Sequence, residues 1–338
     1  MPFKSFGAPG PHSGFWQAFC VATFVKLLYE NYFFGSPDDA VHLLGSLITA
    51  GHDIVAVYTQ PDRRVGRGRA KQATAVKIFS EQCGLDTFTP VNLRDDEVEF
   101  TRMSNIAADV FVVVAYGRIL PTKVLGIPSL GVINVHPSLL PLYRGPSPVA
   151  AVILDGQSHT GVSVMLLDEG MDTGPILAQS LPINLSGRER RSELQTRLFK
   201  ESGPLLLATL AKLQLGTITP VIQDDAAASI TQLLRRSDGE IDWTKSAAHI
   251  ERMVRAYDIW PGTSTRWHGK NVKILESQLI AGPTANPGEV VISDGHLSVG
   301  TGDGLLEISK LQLEGRQVTT ATDFVRGYPE INGVILGD

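Results

Sequence analysis

At 338 residues, with 43% hydrophobic side chains, the chain is too long for one ordinary core and too apolar to be disordered, so two domains are expected. A formal net charge of -5 excludes wholesale electrostatic attachment to nucleic acid or an anionic membrane, while leaving room for a local basic patch. Two cysteines, Cys20 and Cys83, make neither a disulfide framework nor a metal motif and fit a reducing, cytoplasmic setting.

Residues 1–26 are an unassigned N-terminal extension in which Gly7, Pro9, Gly10, Pro11 and Gly14 crowd together. The apolar run Phe15–Tyr29 is interrupted by Gln17 and Lys26 and is followed by no small-x-small site, so neither a membrane span nor an export signal is expected. Tyr32-Phe33-Phe34 reads as the first strand. Ser36 is the expected cap of the helix after it, with Pro37 at the first helical position and Asp38 and Asp39 at the positive helix end. Ile54–Tyr58 follows as a strand, then a loop over Gln60–Lys71, a helix ending near Gly84, a short strand at Thr87–Thr89 and a charged helix near Asp95. The polar pair Glu30-Asn31 is out of place in front of a buried parallel strand.

Ala108–Ala115 is the most apolar strand, and Tyr116–Pro121 is a turn. The stretch Gly131-Val-Ile-Asn-Val-His-Pro-Ser-Leu-Leu-Pro141 opens as another buried strand. Val162–Leu167 and Ile176–Ile183 are strands around the loop Asp168–Gly174, and one long helix is expected from Glu189 to Leu213. Strands alternating with helices predict a Rossmann-like, mostly parallel α/β sheet over residues 27–215. Residues 216–236 lack periodicity and read as a linker. Over 237–327, a helix at Ser246–Tyr257 precedes short strands separated by Gly and Asp, the pattern of a small, OB-like β-barrel.

Asn134 and His136 carry the chemistry of the central stretch. Residues two apart on a strand share a face, so both project at the strand end that Pro137 terminates. Ligands of open α/β sheets sit in the crevice at the carboxyl ends of strands. A carboxamide and an imidazole there are suited to a carbonyl oxygen on which charge accumulates. Asp172 is the carboxylate that would orient the imidazole, with Asp168 and Glu169 as rivals that spacing does not separate. Arg63, Arg64, Arg67, Arg69 and Lys71 put five cations into nine residues around Gly66 and Gly68, a pattern fit for RNA phosphates. Gly300–Gly304 reads as a hairpin turn. No G-x-S-x-G nucleophile elbow and no His/Cys cluster of metal-ligand spacing occurs.

Asn134-Val-His136 with Ser138-Leu-Leu-Pro141, followed 36 residues after His136 by Asp172-Thr-Gly174, resembles the folate-dependent formyltransferases. Phe34–Asp38, Thr59–Arg63 with Gly66-Arg-Gly68, Ile241-Asp-Trp243, Arg255-Ala-Tyr257, Trp260-Pro261 and Gly300–Gly304 resemble the tRNA-acting branch, over about residues 27–327. The resemblance implies 10-formyltetrahydrofolate as cosubstrate, no metal, and the α-amine of methionyl initiator tRNA as acceptor in translation initiation. It also implies Asn134, His136 and Asp172 as catalytic residues. The folate would lie against Tyr116, Gly117, Arg118, Ile119 and Leu120, with Ser138, Leu139, Leu140 and Pro141 completing its site. The basic loop and the C-terminal domain would meet the tRNA, and a monomer is expected. The alternatives are a formyltransferase acting on a small amine, such as glycinamide ribonucleotide or a sugar nucleotide, and a binding protein without turnover.

Overall fold

The computed structural model describes residues 29–65, 70–106, 108–282 and 285–337. The N-terminal extension, Arg67 and Arg69 lie outside the described residues.

The first strand, β1 (Glu30–Gly35), is followed by α1 (Asp38–Thr49) and β2 (Asp53–Tyr58). A hairpin of β3 (Arg63–Val65) and β4 (Ala70–Gln72) then precedes α2 (Ala75–Gln82), β5 (Thr87–Phe88), α3 (Glu97–Asn105) and β6 (Val110–Val114). After α4 (Thr122–Leu125) come β7 (Val132–His136), α5 (Pro148–Leu154), β8 (His159–Thr160), β9 (Ser163–Leu166), β10 (Ile176–Gln179) and β11 (Ile183–Asn184). Seven strands form one sheet in the order β10-β9-β7-β6-β1-β2-β5. β5, β2, β1, β6 and β7 run parallel; at one edge β9 runs antiparallel to β7, and β10, antiparallel to β9, returns to the common direction. The chain runs outward from β1 in one direction through β2 and in the other through β6, so the sheet has a switch point between β1 and β6, where α/β folds place ligands.

Burial on both faces explains the uninterrupted apolar strands. Phe33, Val112, Val114, Ile133 and Val135 pack on one face against Leu43, Leu44 and Leu47 of α1 and against two later helices, α6 (Arg191–Glu201) and α7 (Gly203–Gln214). Tyr32, Phe34, Tyr58, Phe111 and Tyr116 form an aromatic layer on the other face with Met103 of α3 and Val124 of α4. Asn31, out of place by pattern, is fully buried in β1, where its Nδ2 donates to Tyr29 O at 2.8 Å beside a register shift in the pairing with β2. The amide thus satisfies a main-chain carbonyl, which an apolar side chain could not do.

Several expected boundaries move for identifiable reasons. Pro37, not Ser36, is the N-cap of α1. The Ser36 hydroxyl instead donates to Tyr116 O at 3.1 Å and accepts from Gln60 N at 3.3 Å, tying β1 to the turn after β6. The expected long helix breaks at Ser202 into α6 and α7, because Pro204 has no N–H to continue the ladder. A side chain at Gly203 would also meet Ser46 Oγ of α1 at 2.8 Å. Pro182 likewise ends the strand expected to run to Ile183, and β11 pairs with β8 instead of joining the main sheet.

The C-terminal part holds α8 (Ala247–Ala256), strands β12 (Thr263–Trp267), β13 (Lys270–Ile280), β14 (Val290–Ser293), β15 (His296–Gly300), β16 (Leu305–Leu313) and β17 (Thr319–Thr320), and α9 (Ala321–Gly327). The strands pair antiparallel in the order β12-β13-β16-β15-β14, with β17 on β16. Trp243, Ile250, Val254, Trp267, Leu306 and Phe324 share their core. α8 serves two cores at helical spacing: Ile250 and Val254 enter this one, while Met253, Ala256 and Tyr257 enter that of the parallel sheet. Arg252 Nε donates to Leu154 O at 2.8 Å and Arg255 Nη1 to Glu189 O at 2.9 Å, so both charged ends are satisfied across the same contact. No helix among the described residues is long and apolar enough to cross a membrane.

Candidate active site

The carboxyl ends of β6 and β7 open into a cavity of about 570 Å³. Asn134 and His136 reach it from the carboxyl-terminal half of β7, and Asp172 reaches it from the β9–β10 loop. The remaining walls are Tyr116–Leu120, Gly145–Val149, Asp168–Met171 and three residues of α6, Arg191, Gln195 and Phe199. A second hollow, of about 600 Å³, is lined by the C-terminal sheet and contains none of these three residues.

Asp172 holds the constellation together. Its Oδ2 accepts from Gly145 N at 2.8 Å, and its Oδ1 accepts from Asn134 Nδ2 at 3.4 Å. His136 Nδ1 lies 3.6 Å from Oδ2, an ion-pair distance rather than a hydrogen bond. The other ring nitrogen, Nε2, is 2.9 Å from Tyr143 O. Both nitrogens therefore face oxygen atoms, Nε2 at hydrogen-bond distance and Nδ1 beyond it. His136 is 4% exposed, which fixes the ring against the cavity wall.

The structure separates Asp172 from its two rivals. Asp168 Oδ1 accepts from Gly170 N at 3.0 Å and Thr173 Oγ1 at 2.7 Å, so it builds the loop. Glu169 is exposed at the rim. Asp172 sits at a φ of 55°, a left-handed conformation that points its carboxylate inward. Gly174 closes the loop against β9, where any side chain would run into Leu166 O.

Tyr116–Leu120 lines the cavity as a turn with positive φ at Ala115 and Gly117, both exposed. Ser36 Oγ and Gln60 Nε2, the latter at 2.8 Å, hold the turn by Tyr116 O. Burial pushes the Tyr116 phenol up to about 12, so it stays a neutral O–H. Ser138, Leu139, Leu140 and Pro141 do not line the cavity. The reason is packing. Ser138 is fully buried and donates to Leu142 O at 2.6 Å; Leu140 packs on Met165 and Ile176; Leu139 lies against Gly161. The segment is the floor under the loop that follows it.

Arg63, Arg64 and Lys71 are exposed on a two-stranded hairpin, with Arg64 opposite Lys71, where an irregular loop was expected. Arg63 also bonds Gln60 Oε1. Sequence reasoning missed Tyr143 O, the Gly145 N–H and the α6 residues. Gly145, with a φ of 100° before Pro146, carried a signal: glycine is the residue that permits this backbone beside a neighbouring chain. Backbone groups and a helix face carried none.

Residues 31–210 match the family described as Formyl transferase, and residues 233–329 match the Formyl transferase, C-terminal domain. The chain belongs to the formyl transferase family. It is 46% identical over 309 residues to the methionyl-tRNA formyltransferase of Roseiflexus sp. (strain RS-1), covering 90% of this chain and 94% of that protein. It is 44% identical over 309 residues to that of Chloroflexus aurantiacus (strain ATCC 29366 / DSM 635 / J-10-fl), covering 90% and 99%. Among solved structures of this formyl transferase fold, HypX from Aquifex aeolicus in complex with tetrahydrofolic acid superposes with a TM-score of 0.60 at 19% identity, covering 90% of this chain and 47% of that one. An N-formyltransferase from Helicobacter canadensis in complex with folinic acid and dTDP-3-aminofucose gives a TM-score of 0.60 at 18% identity, covering 83% and 98%. The resemblance and fold class expected from sequence are therefore borne out.

Proposed function

We propose that this chain transfers the formyl group of 10-formyltetrahydrofolate to the α-amino group of methionyl initiator tRNA, with Asn134, His136 and Asp172 as its catalytic residues. One observation carries the reading: an amide, an imidazole and a carboxylate meet on one wall of a cavity, in a chain that matches methionyl-tRNA formyltransferases over almost their whole length.

The cavity suits the donor. Val113, Leu120, Leu125 and Leu167 give it apolar surface for a flat ring, and the exposed backbone at Ala115 and Gly117 offers polar groups at its edge. When a neutral amine attacks, a C–N bond forms, the formyl carbon passes from planar to tetrahedral and its oxygen gathers negative charge. Collapse then breaks the bond to N10, and tetrahydrofolate leaves with N10 protonated as the new amide nitrogen loses a proton. Asn134 Nδ2 has one hydrogen for Asp172 and a second for that oxygen. His136, set between Tyr143 O and Asp172, presents its ring on the same wall. Asp172 holds both. Stabilisation present only in the transition state accelerates the step. The exposed cations Arg63, Arg64 and Lys71, with Arg67 and Arg69 of the same stretch, would meet RNA phosphates, and the C-terminal domain would extend that contact. The enzyme would act as a monomer in the cytoplasm, where initiator tRNA is charged.

The test is transfer of labelled formyl from 10-formyltetrahydrofolate to three acceptors: methionyl initiator tRNA, methionyl elongator tRNA and glycinamide ribonucleotide. Label on the initiator tRNA alone is expected. Preferential labelling of glycinamide ribonucleotide would replace this reading with the small-amine one.

A further inference from the structure

Residues 211–232 lie between the two stretches that match the family. Within them, residues 221–231 are bound along the catalytic loops rather than spanning free between domains. Val221 and Ile176 exchange two backbone hydrogen bonds of 2.8 Å at the start of β10. Gln223, only 7% exposed, then places its side-chain amide under the Asp172 loop. Its Nε2 donates to Asp172 O at 2.9 Å and to Gly174 O at 2.7 Å, and its Oε1 accepts from Arg144 Nε at 2.9 Å. Further along, Ser229 Oγ accepts from Tyr143 N at 2.8 Å and Ser229 O from Arg144 N at 2.9 Å. Thr231 N donates to Arg144 O at 2.7 Å, and Thr231 Oγ1 accepts from Ser147 N at 3.1 Å.

These contacts fall on the backbone units that orient the catalytic side chains. Tyr143 O is the partner of His136 Nε2, and Gly145 N is the partner of Asp172 Oδ2. Asp172 itself stands at a φ of 55°, a conformation unfavourable for a residue with a Cβ. The contacts of Asp172 with Asn134 and His136 are long, at 3.4 and 3.6 Å, and do not fix its direction by themselves. Besides the 2.8 Å bond from Gly145 N to the carboxylate, its backbone is fixed through its own carbonyl and that of Gly174, and one buried amide holds both. We infer that this strap belongs to the catalytic apparatus, with Gln223 as a positioning residue for Asp172 and Ser229 and Thr231 as anchors of the Tyr143–Ser147 loop. The inference rests on the formyl-transfer reading above.

Gln223→Glu tests it in the full chain. The substitution keeps the shape and the acceptor facing Arg144 and removes both N–H donors. Turnover is expected to fall about ten- to a hundredfold, the scale of a displacement of about an ångström at a catalytic group. KM for donor and for tRNA is expected to stay within about twofold, because no substrate touches residue 223, while the thermal unfolding midpoint falls with the two lost buried bonds. In single turnovers on an Asp172→Asn background, the same change is expected to cost less than about threefold, since the group it orients no longer acts. If Gln223→Glu does not fold, Ser229→Ala carries the test, with kcat expected to fall about three- to tenfold at unchanged KM. Wild-type kcat in whichever of these variants folds would overturn the inference, as would an undiminished loss on the Asp172→Asn background. Failure of the unmodified chain to formylate methionyl initiator tRNA would refute the parent reading instead.

Discussion

Asn134–His136 and Ser138–Pro141 are separated by one proline, yet they have opposite roles. Asn134 and His136 stand on the cavity wall and bond to Asp172 and Tyr143 O; Ser138 and Leu140 are buried beneath it and bond to backbone or pack on apolar neighbours. The first pair leaves β7 with its side chains aimed beyond the carboxyl end of the sheet. After Pro137 the chain turns back over β9, where Leu140 N donates to Ser163 Oγ at 3.0 Å. Nearness in sequence to a residue on the cavity wall is therefore no guide to which side chains line it. The direction of the chain decides.

The contrast is tested hardest by Asp172→Ala. The change removes the acceptor of Gly145 N, the partner of Asn134 and the ion-pair partner of His136 at once. A fall in kcat of about a thousandfold is expected, at the upper end for loss of one oxyanion-stabilising element. A loss under tenfold, measured by label transfer to initiator tRNA, would remove Asp172 from the mechanism. Asn134→Ala removes one donor and leaves the His136–Asp172 pair in place, so about a hundredfold is expected, with KM for the donor little changed. A raised KM at unchanged kcat would make Asn134 a ground-state binding residue only.

How much of this the sequence disclosed follows from what periodicity can encode. The parallel sheet, Asn134, His136 and the loop of Asp172 were legible, because strand alternation and a proline stop place side chains on a known face. Choosing Asp172 over Asp168 and Glu169 required the fold: the three differ in which hydrogen bonds the loop itself consumes, and spacing carries none of that. The Tyr143 carbonyl and the Gly145 N–H are backbone groups that any residue would supply. Gln223 lies in a stretch without periodicity, and its meaning comes from which carbonyls the chain brings beneath it. The break between α6 and α7 was signalled by Gly203-Pro204, although the apolar spacing on both sides concealed it.

Ser138→Ala examines the other side of the comparison. The hydroxyl donates to Leu142 O and its own carbonyl accepts from Ser163 Oγ at 2.7 Å, so the residue is part of the scaffold. A loss of about 1 kcal/mol of unfolding free energy is expected, the usual net worth of one such bond, read by denaturant titration. Formyl transfer should keep its kcat and its KM for the donor. A selective rise in that KM with stability intact would return Ser138 to the folate site.

The smallest effect belongs to a region that does not line the cavity. Arg64 and Lys71 face each other across the β3–β4 hairpin with their side chains in solvent, a pairing of like charges that contributes nothing to folding. Such a pair has a use when an anion bridges it, and a phosphodiester backbone is the anion the proposed acceptor supplies. Lys71→Ala is expected to raise KM for methionyl initiator tRNA by about two- to fivefold, the scale of one exposed charge contact, with kcat and donor KM unchanged. Because the contact would be solvent-exposed, the difference from the wild type should shrink as salt is raised from about 50 to 200 mM. An effect that persists at high salt would mean that Lys71 acts through the hairpin's shape. An equal rise in donor KM would connect the hairpin to the Tyr116 turn, to which Gln60 and Arg63 already link it.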